Sequence, residues 1–312
     1  MSMPGPVACI VGPTASGKSA LAELVAAKLD SEVISVDAMQ VYLGMDIGTA
    51  KTPAHERRVP LRMVDVANPT ESFSVSLFQT QARACVDELL SAGRTPVLCG
   101  GTGLYLNAVI DDMSFPSGEK DGELRASYER QLEELGPQGL HDLLASRDPR
   151  SAELIHPNNS RRVVRALEML DEGVSYAQHH EGLHRRKARY DARIWGLTMD
   201  RERLYARIDA RVDKMVRDGL VDEVRALAQQ GLTSDHTAGQ AIGYKEILDA
   251  LSGELSLDEA IELIKRRSRR YAKRQLSWFR HDGRVQWINL DELDLEQAME
   301  RIADDLSGGA RA

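Results

Sequence analysis

The chain has 312 residues, of which 42% are hydrophobic and 28% charged, and its formal net charge is −8. This composition is typical of a globular protein with one large or two ordinary domains. No apolar run approaches the ~20 residues that a membrane-spanning helix needs. The net charge argues against a protein that coats nucleic acid over its whole surface. A basic patch of limited size stays compatible with this charge.

The cysteines and the N-terminus predict a protein of the cytoplasm. Cys9, Cys85 and Cys99 lack the spacing of a metal site, and we expect them to be reduced thiols. The first residues contain no basic segment followed by a long apolar one, so no secretory signal is expected.

Short apolar runs alternate with helical patterns over roughly the first third of the chain. This alternation indicates a parallel, doubly wound sheet, in which ligands bind beyond the carboxyl ends of the strands. Helices are predicted to begin at Lys18 and near Val75. Strands are predicted at Val7–Val11, Glu32–Val36, Met63–Val66 and Thr95–Cys99.

A turn-rich stretch at residues 114–122 marks a domain boundary, and helical patterns without a convincing strand follow from about Glu123 to Gly182. We therefore predict an α/β fold: a P-loop NTPase-like core, residues 1–114 and 193–312, with an all-helical insertion, residues 115–192. The core resumes with a strand at Arg193–Leu197, long helices to about Arg280 and a last strand at Val285–Ile288. We expect the tail, Ser307–Ala312, to be disordered.

A phosphate-binding loop follows the first predicted strand. The motif G-x-x-x-x-G-K-[ST] is complete and stands between a strand and a helix, where its glycines let backbone N–H groups converge on phosphate oxygens. Lys18 supplies a positive charge, and the Ser19 hydroxyl is suited to coordinating Mg²⁺. The predicted diphosphate-binding residues of this loop are Gly12, Pro13, Thr14, Ala15, Ser16, Gly17, Lys18 and Ser19.

Two further strands end in residues suited to chemistry at the same sheet edge. Asp37 follows the second strand, either as a general base or as a helix cap or loop carboxylate. The turn that begins at Gly100 brings the Thr102 hydroxyl to this edge, unless it is simply a tight turn. Asp46 and Asp65 are interpreted as structural.

Basic residues are concentrated at Arg161–Arg165, His184–Arg189 and Lys265–Arg280. Arg161 and Arg165 share one face of a predicted helix that begins after Asn158-Asn159-Ser160, and a solvated face is the alternative interpretation. The face of Lys265–Arg274 is densely cationic with few acids to pair, which favours a polyanionic partner such as nucleic acid.

Three kinds of function stay open from the residues alone: a small-molecule kinase that uses ATP, an RNA-modifying enzyme, and a non-catalytic RNA-binding module. The histidines near the basic loop suggest a metal site at first, but their polar surroundings favour exposed side chains. These histidines are His179, His180 and His184.

The succession of motifs resembles that of the tRNA dimethylallyltransferases, also called tRNA isopentenyltransferases, of the bacterial type. The resemblance extends in family order from residue 7 to about residue 280. Besides the phosphate-binding loop, the matching stretches are Ile34–Tyr42, Gly44–Lys51, Gly100–Tyr105, His156–Asn159, Arg161–Glu168, Gly219–Arg225, Ala241–Glu246 and Ala272–Gln275.

The resemblance implies transfer of a dimethylallyl group from dimethylallyl diphosphate to N6 of the adenosine 3′-adjacent to the anticodon of tRNA, with release of diphosphate. It implies that Asp37 accepts a proton from this amine, that Thr102 lies at the reaction centre and that Arg225 contacts the diphosphate. Mg²⁺ is the expected cofactor, and we expect a monomer that acts on tRNA and not at a membrane. A P-loop kinase is the alternative.

Family segments that touch tRNA also align with this chain, although the family often has Ser where Ala38 stands here. The implied tRNA contacts are Asp37, Ala38, Met39, Gln40, Thr102, Arg125, Arg161, Arg162, Val163, Val164, Arg165, Gln240, Gly243 and Lys245.

Overall fold

The computed structural model describes residues 6–115, 122–184 and 187–308. In these ranges a six-stranded sheet has the order β3-β2-β4-β1-β5-β6, and every neighbouring pair is parallel. This confirms the predicted P-loop NTPase-like α/β fold. The strands are β1 (Val7–Val11), β2 (Val33–Ser35), β3 (Leu61–Arg62), β4 (Val97–Gly100), β5 (Ala192–Thr198) and β6 (Val285–Asn289).

Helices fill most of the remaining described residues. In chain order they are α1 (Lys18–Lys28), α2 (Val75–Ser91), α3 (Gly103–Ile110), α4 (Glu123–Arg147), α5 (Pro149–Leu154), α6 (Ser160–Asp171), α7 (Tyr176–His184), α8 (Arg201–Arg217), α9 (Leu220–Gln229), α10 (Tyr244–Leu251), α11 (Leu257–Arg280) and α12 (Leu295–Gly308). None of the described helices combines the length and apolarity that crossing a membrane requires.

The central strand β1 is buried on both faces, and successive residues point into different cores. Val7, Cys9 and Val11 pack in a cluster that includes Phe78 and Val86 of α2. Ala8 and Ile10 pack in a second cluster with side chains of α1 and α12. An apolar run without alternation is what a strand covered by helices on both faces requires. The middle of the sheet is thereby fixed, and the phosphate-binding loop continues from it.

The chain divides into a sheet unit, up to Ile110 and from Ala188 onward, and a helical unit, Asp111–Lys187. The predicted insertion, 115–192, lies a few residues later than the helical unit. Backbone pairing explains the difference. The backbone N–H of Asp112 donates to the carbonyl of Lys187 at 2.7 Å, so both residues belong to the helical unit. The carbonyl of Asp191 accepts from the backbone of Val7 in β1 at 2.8 Å, so Asp191 belongs to the sheet unit.

The helical unit has its own apolar core, which contains Tyr128, Leu140 and Leu144 of α4. Its described residues form no strand, as predicted. Helix α4 is interrupted at Gly136, whose φ of 69° precedes Pro137. Helix α6 begins at Ser160, close to the predicted start, but the Asn159 side chain makes no capping hydrogen bond.

The prediction of a strand at Met63–Val66 is wrong, because the strand lies earlier, at Leu61–Arg62. Met63 and Asp65 have positive φ angles of 60° and 57°, so the backbone leaves the extended conformation there. A buried cation explains the turn, since the Lys51 ammonium binds the Asp65 carboxylate at 2.6 Å. Lys51 also binds Asp46 at 2.9 Å, which confirms the structural interpretation of both acids.

Helix α12 continues through Ser307 and Gly308, so the first part of the predicted disordered tail is helical. The rest of that tail, 309–312, lies outside the described residues. So do residues 1–5, most of the predicted boundary at 116–121, and residues 185–186 of the basic loop.

Gly100→Ala should destabilise the sheet. A methyl group at Gly100 would lie 2.4 Å from the Val36 carbonyl oxygen, and this backbone can move aside only with its strand. We expect the free energy of unfolding to fall by about 1–3 kcal/mol, as for other overpacked core positions. Chemical denaturation measures this loss. Gly283→Ala, whose methyl group meets no atom within 4 Å, is the control, and an equal change in both variants would contradict the prediction.

Candidate active site

A cavity of about 340 Å³ opens at the carboxyl edge of the sheet, and all of its lining residues belong to the sheet unit. Strands β1, β2 and β4 end there, as the topology of a parallel sheet requires. The lining brings together residues from the phosphate-binding loop, the loop after β2, the turn after β4 and the helices α8 and α11. Its polar members include Thr14, Lys18, Ser19, Asp37, Gln40, Thr102, Arg211, Tyr271, Arg274 and Gln275.

The phosphate-binding loop adopts backbone angles that favour glycine at two positions. Gly12 has a φ of 153° and Gly17 a φ of 99°, and Gly17 is the N-cap residue of α1. At Gly12 a methyl group would lie 3.2 Å from both Cβ and the carbonyl oxygen of Leu197. Thr14, Lys18 and Ser19 line the cavity, while the rest of the loop shapes the backbone around it.

Lys18 is held for binding an anion. Its Nζ lies 3.4 Å from the carbonyl of Pro13. Burial lowers the pKa of Lys18, and the charge of Arg211 lowers it further, against opposing effects of Cys99 and Asp37. An anionic ligand beside this amine would stabilise its charged form, since opposite charges favour ionisation. A phosphate group beside Lys18 would therefore favour the ammonium form of this side chain.

Two arginines of α8, which the sequence analysis missed, adjoin the loop. Arg207 donates to the carbonyl of Ala15 at 2.8 Å, and Arg211 lies 3.4 Å from the Thr14 hydroxyl. Burial lowers the pKa of Arg211, and the neighbouring charge of Arg207 adds to this effect. Their i,i+4 spacing indicates one helix face, but nothing in the sequence placed that face against the loop.

The structure does not bring Arg225 to the cavity. Arg225 is half-exposed on α9 and forms an ion pair with Asp222 of the same helix. It is absent from the lining, whereas Arg211 is present. The assignment of Arg225 to diphosphate stays a prediction, whereas the arginines that contact the phosphate-binding loop are Arg207 and Arg211.

Asp37 and Thr102 come together at the ends of the neighbouring strands β2 and β4. The Asp37 carboxylate accepts a hydrogen bond from the backbone of Met39 at 2.9 Å, which holds it in a tight turn. The Thr102 hydroxyl accepts from the backbone of Ala38 at 3.2 Å. Both side chains line the cavity with Lys18, so a carboxylate, a hydroxyl and a phosphate-binding amine face one space.

Helix α11 packs against the turn after β4 through two side chains that need glycine opposite them. A methyl group at Gly101 would lie 1.9 Å from Nε2 of Gln275, and one at Gly103 would lie 2.0 Å from Nε1 of Trp278. The Gln275 amide donates to the Gly101 carbonyl at 3.1 Å and accepts from the backbone of Thr14 at 2.8 Å. One buried side chain thus ties the two glycine turns together.

Tyr271 is a further lining residue that the sequence analysis did not identify as functional. Burial raises its pKa to about 12, and the charge of Asp37 contributes in the same direction, while a hydrogen bond with Thr102 opposes the shift. The phenol is therefore protonated at neutral pH and contacts Thr102. The guanidinium of Arg274 lies 5.5 Å from the centre of its ring.

Most of the predicted tRNA contacts in the sheet unit reach the cavity. Its lining includes Asp37, Ala38, Met39, Gln40, Thr102, Gln240 and Gly243. Lys245 is not among the lining residues and pairs with Asp249 on α10 at 3.2 Å.

In the helical unit, Arg161 and Arg162 are exposed on the first turn of α6. Arg125 and Arg165 each lie 3.5 Å from the carboxylate of buried Glu168. The side chains of Val163 and Val164 are also buried in the core of this unit. They can therefore offer only their backbone to RNA. The predicted tRNA contacts that lie in the helical unit are thus Arg125, Arg161, Arg162, Val163, Val164 and Arg165.

The cations of Lys265–Arg274 have more acidic partners than the few that the sequence predicts. Lys265 pairs with Asp213 at 2.8 Å, and Arg267 and Arg269 form ion pairs with Glu246 and Asp209. These acids lie on α8 and α10, so the sequence near α11 could not reveal them.

The histidines form no metal site among the described residues, where no cluster of three or more His, Cys, Asp or Glu side chains is suited to a metal ion. His179 lies 3.0 Å from the carbonyl of Ser114, and His180 stacks on Tyr176. The side chain of His184 is outside the described part of the chain.

Comparison with known proteins adds independent evidence. The family model described as IPP transferase matches residues 40–282. A tRNA dimethylallyltransferase of Carboxydothermus hydrogenoformans is 47% identical over 94% of this chain and 94% of its own length. The corresponding protein of Geobacillus kaustophilus is 48% identical over 92% of this chain and 91% of its own length.

Solved structures agree. The full-length tRNA isopentenylpyrophosphate transferase from Bacillus halodurans is 44% identical, with a TM-score of 0.72 that covers 98% of this chain and 96% of that one. A eukaryotic dimethylallyltransferase acting on tRNA is 28% identical, with a TM-score of 0.80 that covers 97% of this chain and 80% of that one.

Arg211→Ala should weaken the binding of inorganic diphosphate, whereas Arg225→Ala should not. Losing one hydrogen bond to a charged group costs about 1.5–3 kcal/mol, which corresponds to a ~10- to 100-fold higher Kd. Calorimetric titration of each variant with diphosphate and Mg²⁺ measures the effect. Weaker binding by Arg225→Ala, with the Kd of Arg211→Ala unchanged, would contradict this prediction and support the assignment of Arg225 to diphosphate.

Proposed function

The chain belongs to the IPP transferase family and transfers a dimethylallyl group to tRNA, and we propose the two substrates of this reaction. The donor is dimethylallyl diphosphate. The acceptor is N6 of the adenosine 3′-adjacent to the anticodon. The observation that carries this proposal is a single cavity lined by Lys18, Ser19, Asp37 and Thr102. A kinase that uses ATP is not favoured, since the relatives named above are transferases acting on tRNA.

The reaction joins N6 of adenine to C1 of the dimethylallyl group, while the bond from C1 to the diphosphate oxygen breaks and diphosphate leaves. An adenine amine is a poor nucleophile, because its lone pair is delocalised into the ring. Asp37 accepts the N6 proton as the new bond forms, which increases the electron density on nitrogen. Its turn with Met39 fixes the carboxylate at the edge of the cavity.

The leaving group is stabilised by positive charge that lines the same cavity. Backbone N–H groups of the phosphate-binding loop and the N-terminus of α1 point at the diphosphate, and Lys18 and Arg211 add two cations. Arg207 holds the loop through the Ala15 carbonyl. Charge that develops on the departing oxygens therefore meets groups that are already in place.

Thr102 and Tyr271 shape the space between acceptor and donor. The Thr102 hydroxyl fixes the backbone after Asp37 and contacts the phenol of Tyr271. Beside them the cavity has an apolar wall that includes Ile208, Val212 and Ile264. A five-carbon allyl chain fits such a surface, and the wall keeps water from competing with the amine.

The donor atoms near α1 suit Mg²⁺, because hydroxyl and carboxylate oxygens are the protein ligands this ion accepts beside phosphate and water. Ser19 in the first turn of α1 would hold it, with Asp37 across the same cavity. When bound, it would neutralise part of the diphosphate charge.

The RNA side of the cavity is formed by Asp37–Gln40 and by Gln240 and Gly243. An adenosine in a folded anticodon loop must leave its stack to enter such a space, which is a form of base flipping. Arg161 and Arg162 of the helical unit are exposed and suited to phosphate contacts. Action in the cytoplasm and as a monomer stay predictions.

The function is tested by incubating the protein with unmodified tRNA, Mg²⁺ and radiolabelled dimethylallyl diphosphate. We expect label on one adenosine beside the anticodon, identified by nuclease digestion and chromatography. RNA without label, together with consumption of ATP in the presence of a small hydroxylated acceptor, would support the kinase instead.

Asp37→Asn should lower turnover by about 10²- to 10⁴-fold, the usual contribution of a general base. The amide keeps the size of the side chain but cannot accept the N6 proton. Binding of inorganic diphosphate should stay near the wild-type value, because Lys18 and Arg211 are unchanged. Wild-type turnover in this variant would exclude Asp37 as the base.

A further inference from the structure

We propose that Glu223 is a positioning residue for the RNA substrate: it fixes the loop Gly44–Lys51, and this loop holds the Gln40 amide at the wall of the cavity. The inference rests on the proposed function, since it concerns the side of the same cavity that would receive RNA. Glu223 lies on α9 and is not among the lining residues, so it would act through the loop.

The Glu223 carboxylate is fully used by donors from two other segments. One oxygen accepts from the backbone of Asp46 at 3.0 Å and of Ile47 at 2.7 Å. The other accepts from the backbone of Gly48 at 3.2 Å and from the Tyr244 hydroxyl at 2.5 Å. Three successive N–H groups that converge on one anion form a concave anion-binding backbone. Here the anion is a side chain of the protein itself.

Tyr244 completes this contact from below the loop. It is fully buried, and burial together with the charge of Glu223 raises the pKa of its hydroxyl. A methyl group at Gly48 would lie 2.4 Å from the ring of Tyr244. The backbone at Gly48 therefore lies directly on the aromatic ring, and the Glu223–Tyr244 pair sets the height of the loop over the cavity.

The next residue transmits this position to Gln40. The carbonyl of Thr49 accepts from Nε2 of Gln40 at 3.1 Å, and the Ser35 hydroxyl donates to Oε1 at 2.8 Å. Gln40, Gly48 and Thr49 all line the cavity. An amide with one hydrogen bond at each end still has one N–H and one lone pair to offer. Fixed in this way, Gln40 presents a donor and an acceptor to the edge of a base.

The far end of the loop is held independently. Lys51 is buried and binds the carbonyl of Tyr42 at 2.6 Å as well as Asp46 and Asp65. Removing Glu223 would therefore leave the backbone N–H groups of Asp46, Ile47 and Gly48 without their acceptor, while Lys51 keeps its anchors. The phosphate-binding loop is held by Arg207 and Gln275 instead. Loss of the Glu223 contacts should therefore weaken the binding of tRNA and leave the binding of dimethylallyl diphosphate unchanged.

The test compares Glu223→Ala, Glu223→Gln, Gln40→Ala and the double variant Glu223→Ala/Gln40→Ala. We expect Glu223→Ala to raise KM for tRNA about 10-fold, in line with the loss of hydrogen bonds to a charged group, while KM for dimethylallyl diphosphate stays within about 2-fold. The KM of Glu223→Gln for tRNA should lie between those of the wild type and Glu223→Ala, because the amide keeps one of the two acceptor oxygens. Asp222→Asn is the control, since it also removes a carboxylate from the first turn of α9 but contacts no residue of the loop.

The double variant separates positioning from general stability. If Glu223 acts through Gln40, the double variant should bind tRNA no more weakly than the more impaired single variant, because coupled residues are not additive. The inference would be overturned if the losses of tRNA binding in the two single variants added up in the double variant. It would also be overturned if Gln40→Ala bound tRNA like the wild type, or if Glu223→Ala raised KM for tRNA and KM for dimethylallyl diphosphate equally. If Glu223→Ala does not fold, Glu223→Gln replaces it in the same cycle.

Filter binding of tRNA gives the same comparison without catalysis. Wild-type protein that binds tRNA but transfers no label would refute the proposed function, while the cycle on Kd would still decide whether Glu223 positions Gln40. If the wild-type protein transfers label but the effects of Glu223→Ala and Gln40→Ala on Kd are additive, only the role of Glu223 is refuted.

Discussion

The buried amide of Gln275 is the contact on which the geometry of the site depends. It bridges Thr14 in the phosphate-binding loop and Gly101 in the turn after β4, which follow two adjacent strands of the sheet. An unsatisfied amide in this position would be costly, because both of its polar ends are removed from water. Its two hydrogen bonds therefore fix the distance between the phosphate-binding loop and the turn that carries Thr102.

Charged groups with structural roles hold the loop after β2. Glu223 and Lys51 each satisfy several partners of the loop after β2, one through backbone N–H groups and the other through carboxylates and a carbonyl. Such charges are costly to bury unless all of their partners are present. The loop consequently has one arrangement that meets both requirements.

The parts of the site that follow local rules could be predicted from the sequence. The phosphate-binding loop, Asp37 and Thr102 lie at the ends of strands, and parallel strands bring their carboxyl ends to one edge. Arg207, Arg211, Gln275 and Glu223 could not be predicted, because their partners are distant in the chain: Gln275 and Thr14 are 261 residues apart. The order of helices around the sheet decides such contacts, and no local pattern contains that order. The error at β3 has the same origin, since the pairing of Asp65 with buried Lys51 overrides the strand propensity of Met63–Val66.

The entry and exit of the helical unit have a consequence for engineering and for the history of the fold. Asp112 pairs with Lys187 through their backbones, and Arg189 donates to the carbonyl of Ile110 at 2.9 Å. The two ends of the inserted segment are therefore neighbours, so a short turn could join them and close the sheet unit without stretching the chain. A segment attached in this way can be gained, exchanged or shortened with little strain on the catalytic core. The fold thus allows the sheet unit and the helical unit to change at different rates.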